Sequence, residues 1–223
     1  MNDCRGVIFD FNGTLFFDTP FHEQAWQTYA AQLCGRTLTD EEFRDHIHGR
    51  TNAEILAYCV GDSMSEDDIR RHGEAKEALY REICLSQSEA FRLAAGAEEY
   101  FNALRERGVL MAIATSSGLS NVNFYRERFG LDRWFNRQTL VYNDGSMRSK
   151  PFPDIYLRAA AAIGLAPEEC TVYEDMPSGI AAAKAAGAGR IIAIASALAP
   201  TYLQSLEGVA EVIADFTGQS SIA

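Results

Sequence analysis

Several side chains of this 223-residue chain have the types and settings that phosphoryl chemistry needs. Asp10, in the string Phe9-Asp10-Phe11-Asn12-Gly13-Thr14-Leu15, closes a short apolar run and precedes a Gly-Thr turn. A carboxylate there can serve as a nucleophile beside backbone N–H groups able to hold phosphate oxygens, although the string alone also reads as a plain turn. Thr115-Ser116 closes a second apolar run and offers a hydroxyl and an N–H to a phosphoryl oxygen, although the same pair in isolation reads equally well as a helix cap. Lys150 stands in the proline-stiffened string Ser149-Lys150-Pro151-Phe152-Pro153. A fixed ammonium at that point can offset the repulsion between a carboxylate nucleophile and a phosphate, the plain alternative being a solvated surface lysine. The adjacent acids Glu174-Asp175 need a cation or hydrogen bonds to sit together. Such hard oxygens, completed by water and substrate phosphate, suit Mg²⁺. Asp175 capping the next helix is the plainer alternative.

These residues need strands to position them. Continuous apolar runs fall at Gly6–Asp10, Val109–Thr115, Thr139–Tyr142, Cys170–Tyr173 and Arg190–Ala195. Between the later ones lie amphipathic stretches at about 96–107, 120–129, 153–163 and 178–186, each stopped near a glycine (Gly108, Gly130, Gly164, Gly187). Buried strands alternating with helices predict an α/β fold, a Rossmann-like doubly wound parallel sheet covered on both faces. In such sheets ligands bind beyond the carboxyl ends of the strands, where the candidate residues fall. Residues 17–89 differ: helical spacing runs throughout, as in Ala25-Trp26-Tyr29-Ala30-Leu33, with no strand. The expected organisation is a core of 1–16 and 90–223 with an inserted all-helical cap domain at 17–89.

Composition narrows the partners. A formal charge of −11 argues against nucleic acid and anionic membrane, because neutralising phosphates takes clustered basic residues. Lys76, Lys150 and Lys184 are the only lysines, which adds weight to each. The cysteines Cys4, Cys34, Cys59, Cys84 and Cys170 are odd in number, scattered and without a Cys-x-x-Cys pair. They fit a reducing compartment rather than a disulfide or zinc framework. No signal peptide or membrane-length apolar stretch is read, so a cytoplasmic protein is expected.

Taken together, the four strand-end motifs resemble those of the haloacid dehalogenase superfamily, and the resemblance covers nearly the whole chain. It is closest to the branch with a helical cap that includes β-phosphoglucomutase and phosphoglycolate phosphatase. The family's D-x-D-G-T string falls on Asp10 to Thr14, its motif-two hydroxyl on Thr115 and its Lys-Pro on Lys150-Pro151. Its acidic pair falls on Glu174-Asp175, with its helical segment on Ser178 to Ala182. The resemblance implies that Asp10 attacks phosphorus to give an aspartyl-phosphate. It also implies Mg²⁺ held by Asp10, the Asn12 carbonyl and Asp175, with Glu174 bound or just behind, and a small phosphorylated metabolite, plausibly a sugar phosphate, as substrate. In the cap, His22 before Ala25-Trp26, Gly49-Arg50, and Lys76 with Tyr80 resemble segments of β-phosphoglucomutase. By that likeness His22, Arg50 and Lys76 are expected to contact substrate, with Ser116 beside them.

One position departs from the family. The second Asp of D-x-D-G-T, which protonates the leaving oxygen and later activates water, is Asn12 here. Three readings are open: a substrate whose leaving group needs no proton, another proton source with His22 first in line, or a weakened or inactive protein that binds a phosphorylated ligand.

Overall fold

Strands of parallel sheets are buried on both faces, so they form where apolar runs are unbroken. The computed structural model describes residues 5–61, 64–87 and 89–219, and it places six strands in one sheet. These are β1 (Gly6–Phe9), β2 (Leu110–Thr115), β3 (Leu140–Tyr142), β4 (Cys170–Glu174), β5 (Arg190–Ile194) and β6 (Val209–Ile213). Their order is β3-β2-β1-β4-β5-β6, with every neighbouring pair parallel. The chain builds outward from β1 to β3, then restarts at β4 on the other side of β1. That reversal is a topological switch point, and it opens a crevice between the carboxyl ends of β1 and β4.

The sixth strand is not evident from sequence. Val209–Ile213 carries Glu211 at its centre and is only half-buried, as suits an edge strand, so it lacks the apolar continuity of the others.

The chain divides into two compact units, Met1–Phe17 with Arg92–Ala223, and Asp18–Phe91. In the first, the sheet is flanked by α5 (Ala97–Glu106), α6 (Leu119–Phe129), α7 (Asp154–Ala162), α8 (Pro177–Ala186) and the short α9 (Pro200–Ser205). Side chains alternate across β1. Ile8 joins an aliphatic layer with Ala112, Val172, Ile155 and Ile180. Phe9 meets an aromatic layer instead, stacked on Tyr173 at 5.3 Å and edge-on to Phe101 at 5.2 Å.

The second unit consists of α1 (Thr19–Cys34), the turn α2 (Asp40–Glu42) leading into a π-helical turn Phe43–Ile47, α3 (Asn52–Val60) and α4 (Glu66–Ser86). Its ends are set locally. Pro20 opens α1 and Gly35, in the left-handed region at φ 66°, closes it; Thr51 and Glu54 form a capping box on α3. Trp26, Ala30, Phe43, Ile55 and Leu56 make its own buried cluster.

Cys34, Cys59, Cys84 and Cys170 are free thiols, and Cys4 lies outside the described residues. Among the described residues no helix is long and apolar enough to cross a membrane.

Candidate active site

Where β1 ends, Asp10 still donates its backbone N–H to Tyr173 of β4 at 2.9 Å, so its 5% exposed side chain is held at the crevice. The chain then reverses sharply. The Phe11 carbonyl accepts from the N–H groups of Leu15 at 2.8 Å and Phe16 at 3.0 Å, and Gly13 N–H donates to Phe16 at 2.7 Å. Gly13 takes φ 80°, and a Cβ there would lie 2.0 Å from Asp175 Oδ2. Both the turn and the approach of the β4 acid thus require glycine.

Lys150, in the segment after β3, is joined to Pro151 by a cis peptide bond. Its ammonium donates to Asp10 Oδ1 at 2.6 Å and Glu174 Oε1 at 2.5 Å and lies 5.1 Å from the centre of the Tyr156 ring. Burial alone would favour loss of its proton, but the carboxylates of Asp10 and Glu174 outweigh burial and hold it well above the ordinary lysine value. Tyr156 is pushed up as well, by burial first and then by the Glu174 charge.

Glu174 is saturated by the protein. Oε1 accepts from Lys150 and from Tyr156 Oη at 2.9 Å, and Oε2 accepts from the N–H groups of Asp175 at 2.8 Å and Met176 at 2.9 Å. That geometry suits an orienting group for Lys150. Asp175 accepts from Thr14 Oγ1 at 3.3 Å, and Met176 rather than Asp175 stands at the N-cap position of α8. Among the described residues, no three acids, histidines or cysteines gather as a ready metal cage. A cation held by Asp10, Asp175 and the Asn12 carbonyl would therefore draw its remaining ligands from water and substrate. That is the habit of Mg²⁺, and these oxygen donors fit it.

Thr115, at the tip of β2, accepts from Ser117 N–H at 3.1 Å and donates to Asn12 Oδ1 at 3.1 Å. Ser117 Oγ donates to the same oxygen at 2.8 Å, and Asn12 Nδ2 donates to Tyr125 Oη at 2.9 Å. Tyr125 is itself stacked on Phe11 at 4.5 Å. Ser116 is exposed and lines a small cleft with Asn143, Ser149 and Lys150.

The structure thus brings Asp10, Asn12, Thr115, Lys150, Glu174 and Asp175 together in the core unit. Ser117, Tyr125 and Tyr156 join them without a sequence signal, because their contribution rests on contacts across more than a dozen residues of chain.

Within the helical unit, His22 and Lys76 also meet. Lys76 Nζ donates to His22 Nδ1 at 2.8 Å and to Glu77 Oε1 at 2.9 Å, and lies 5.1 Å from the Trp26 ring. The other ring nitrogen of His22, Nε2, lies 3.3 Å from Asp18 Oδ2, which also accepts from Tyr80 Oη at 2.5 Å. The imidazole stacks on Tyr80 at 3.9 Å. Arg50 is not part of this cluster; it is exposed and 3.7 Å from Glu54.

Burial lowers the Lys76 value. Glu77, although burial opposes it, is drawn down to about 2 by Lys76 and His22. Because the folded value lies below the ordinary 4.5, this contribution to stability is complete above about pH 4.5 and is lost as pH falls toward 2. Urea unfolding midpoints measured across that window are expected to fall for the wild type and to change less steeply for Glu77→Gln.

Fold and site define a class: a Rossmann-like α/β enzyme core with a lysine-paired aspartate at its switch point. The family model described as haloacid dehalogenase-like hydrolase matches residues 4–187, and the chain belongs to that hydrolase family. Hexitol phosphatase A of Escherichia coli (strain K12) is 32% identical over 184 residues, covering 82% of this chain and 80% of its own. The phosphorylated carbohydrates phosphatase of Thermotoga maritima is 29% identical over 199 residues, 87% of each chain. The crystal structure of a HAD hydrolase, family IA, variant 3, from Entamoeba histolytica superposes with a TM-score of 0.91 at 36% identity. It covers 96% of this chain and 94% of that one.

Proposed function

We propose that this chain catalyses Mg²⁺-dependent phosphoryl transfer, as a phosphatase or phosphomutase, on a small phosphorylated carbohydrate, by way of an aspartyl-phosphate on Asp10. The observation that carries this reading is the Lys150 bridge between Asp10 and Glu174 at the β1/β4 switch point. Lys150 positions the nucleophile and lessens its repulsion of an incoming phosphate, while Ser116, exposed beside it at the end of β2, offers its hydroxyl to the phosphoryl oxygens. Asp10, Asp175 and the Asn12 carbonyl would hold the metal, whose charge would neutralise the transferring group when bound. Glu174 acts through Lys150. The helical unit, as a cap, supplies substrate selection, with His22, Arg50 and Lys76 as its candidate groups. The carbohydrate class is suggested by the named activities of the two curated relatives.

The test is phosphate release from acetyl phosphate and a panel of phosphorylated hexoses, hexitols and pentoses. At least one is expected to turn over with Mg²⁺, with activity abolished by chelator and by Asp10→Ala. Wild-type release no higher than that of Asp10→Ala across the panel would defeat the enzyme reading. Asn12 specifically favours a second reading, a phosphate-ligand binder, which predicts thermal stabilisation by such a compound without its turnover.

A further inference from the structure

An ester of an alcohol needs a proton delivered to its leaving oxygen, whereas a carboxylate leaves as a stable anion without one. The core unit offers little to deliver it. All four histidines of the chain (His22, His46, His48 and His72) lie outside that unit, in Asp18–Phe91. At the strand tips, Lys150 bridges Asp10 and Glu174, Glu174 has both oxygens engaged, and Asp175 belongs to the proposed metal site.

Two residues beyond the nucleophile stands an amide, which neither gives nor takes a proton. Three side chains hold it in place. Thr115 takes the Ser117 N–H on its oxygen and so turns its own hydrogen to Asn12 Oδ1, where Ser117 Oγ also donates. On the opposite side the Tyr125 oxygen receives Nδ2. Three hydroxyl-bearing side chains thus hold the amide from both ends, and the amide so held has no titratable proton.

His22 is no ready substitute. As an ammonium Lys76 can only donate, so Nδ1 accepts and Nε2 carries the hydrogen toward Asp18. Both ring nitrogens are thereby engaged within the helical unit.

Resting on the proposed role of Asp10 as nucleophile, we propose that the amide cradle at Asn12 makes this site selective for acyl phosphates and similarly activated donors, and that the phosphoryl group then persists on Asp10. In the first step an Asp10 oxygen bonds to phosphorus as the bond to the bridging oxygen breaks. The electron pair departs on that oxygen as a carboxylate, with no proton required. In the second step water bonds to phosphorus, the electron pair returns to Asp10, and the water's proton passes to solvent. Without a base at position 12 this second step is slow, which leaves time for an acceptor hydroxyl to take the phosphoryl group in place of water.

Acetyl phosphate, sorbitol 6-phosphate and a series of aryl phosphates test the proposal in the presence of Mg²⁺. After rapid mixing with acetyl phosphate, intact-protein mass spectrometry is expected to show one added phosphoryl group on the wild type and none on Asp10→Ala. Sorbitol 6-phosphate should give no adduct, and wild-type rates should rise steeply with the acidity of the departing phenol. In Asn12→Asp the adduct should disappear, while turnover of sorbitol 6-phosphate rises about 10²- to 10⁴-fold. Equal turnover of acetyl phosphate and sorbitol 6-phosphate without an adduct overturns the donor selectivity and persistence but leaves the Asp10 reading standing. An adduct that survives Asp10→Ala, or neither adduct nor turnover with any donor, overturns the underlying reading. The aryl series on the wild type decides the case even where Asn12→Asp fails to fold, since a flat dependence contradicts the proposal.

Discussion

Replacing Lys150 by alanine is expected to abolish turnover and to cost roughly 3–5 kcal/mol of stability, the range for a buried ion pair that loses one partner. The reason lies in what remains. Asp10 and Glu174 are 5% and 1% exposed, and both direct a carboxylate oxygen at the Lys150 ammonium. Without it, two like charges face each other in a poorly solvated crevice, and one must take up a proton or the strand tips must part. The double variant Lys150→Met/Glu174→Gln separates the two consequences. Removing both charges should restore much of the stability while leaving the enzyme inactive. Urea denaturation of the three proteins measures the effect; a Lys150→Ala midpoint equal to wild type would mean the bridge does not hold the carboxylates.

The second large effect comes from one methyl group. Gly179 lies in the first turn of α8, where alanine ordinarily stabilises a helix by up to about 1 kcal/mol. Here a Cβ would stand 1.6 Å from Glu174 Oε1 and 2.0 Å from its Cδ. Glu174 cannot yield freely, being tied to Lys150, Tyr156 and two backbone N–H groups, so its displacement passes to Lys150 and on to Asp10. Gly179→Ala is expected to lose about 1–3 kcal/mol, the usual range for overpacking. Turnover should fall about 100-fold, as small misplacements of catalytic groups do. Gly73 in α4 supplies the contrast, because its Cβ would meet Asn52 at an ordinary 3.5 Å. Gly73→Ala should therefore hold or raise the thermal midpoint, and matching losses in both variants would rule out the clash as the cause.

The strand tips were legible because a buried parallel strand announces itself as an unbroken apolar run, and the residues just past its carboxyl end are those the crevice displays. Asp10, Thr115 and Asp175 could be read this way, and Lys150, eight residues beyond β3, through its proline-stiffened string. The edge strand β6 could not, since half-buried strands have no such continuity. Neither could the cradle around Asn12: Thr115 and Tyr125 lie more than a hundred residues away along the chain, and nothing local marks a hydroxyl that will face an amide. Glu174 shows a subtler limit. Its type and place suggest a metal ligand or a group just behind one, and the four hydrogen bonds that occupy it exist only once β4, α7 and Lys150 are assembled. In the helical unit, Asp18 was within reach of reasoning, for it stands four residues before His22 on the same helical face.

Among the bonds within the core, the Ala94 N–H donates to the Leu15 carbonyl at 2.8 Å. The two points between which the helical segment is spliced are thus fastened to each other by the core itself. Lengthening that segment therefore adds little entropic demand, about 0.6 kcal/mol for each doubling of a flexible loop. The core behaves as a socket. On the roles proposed above, a different helical insert, joined at the same two places, would change the substrates taken while leaving Asp10, Lys150, Glu174 and Asp175 where they are.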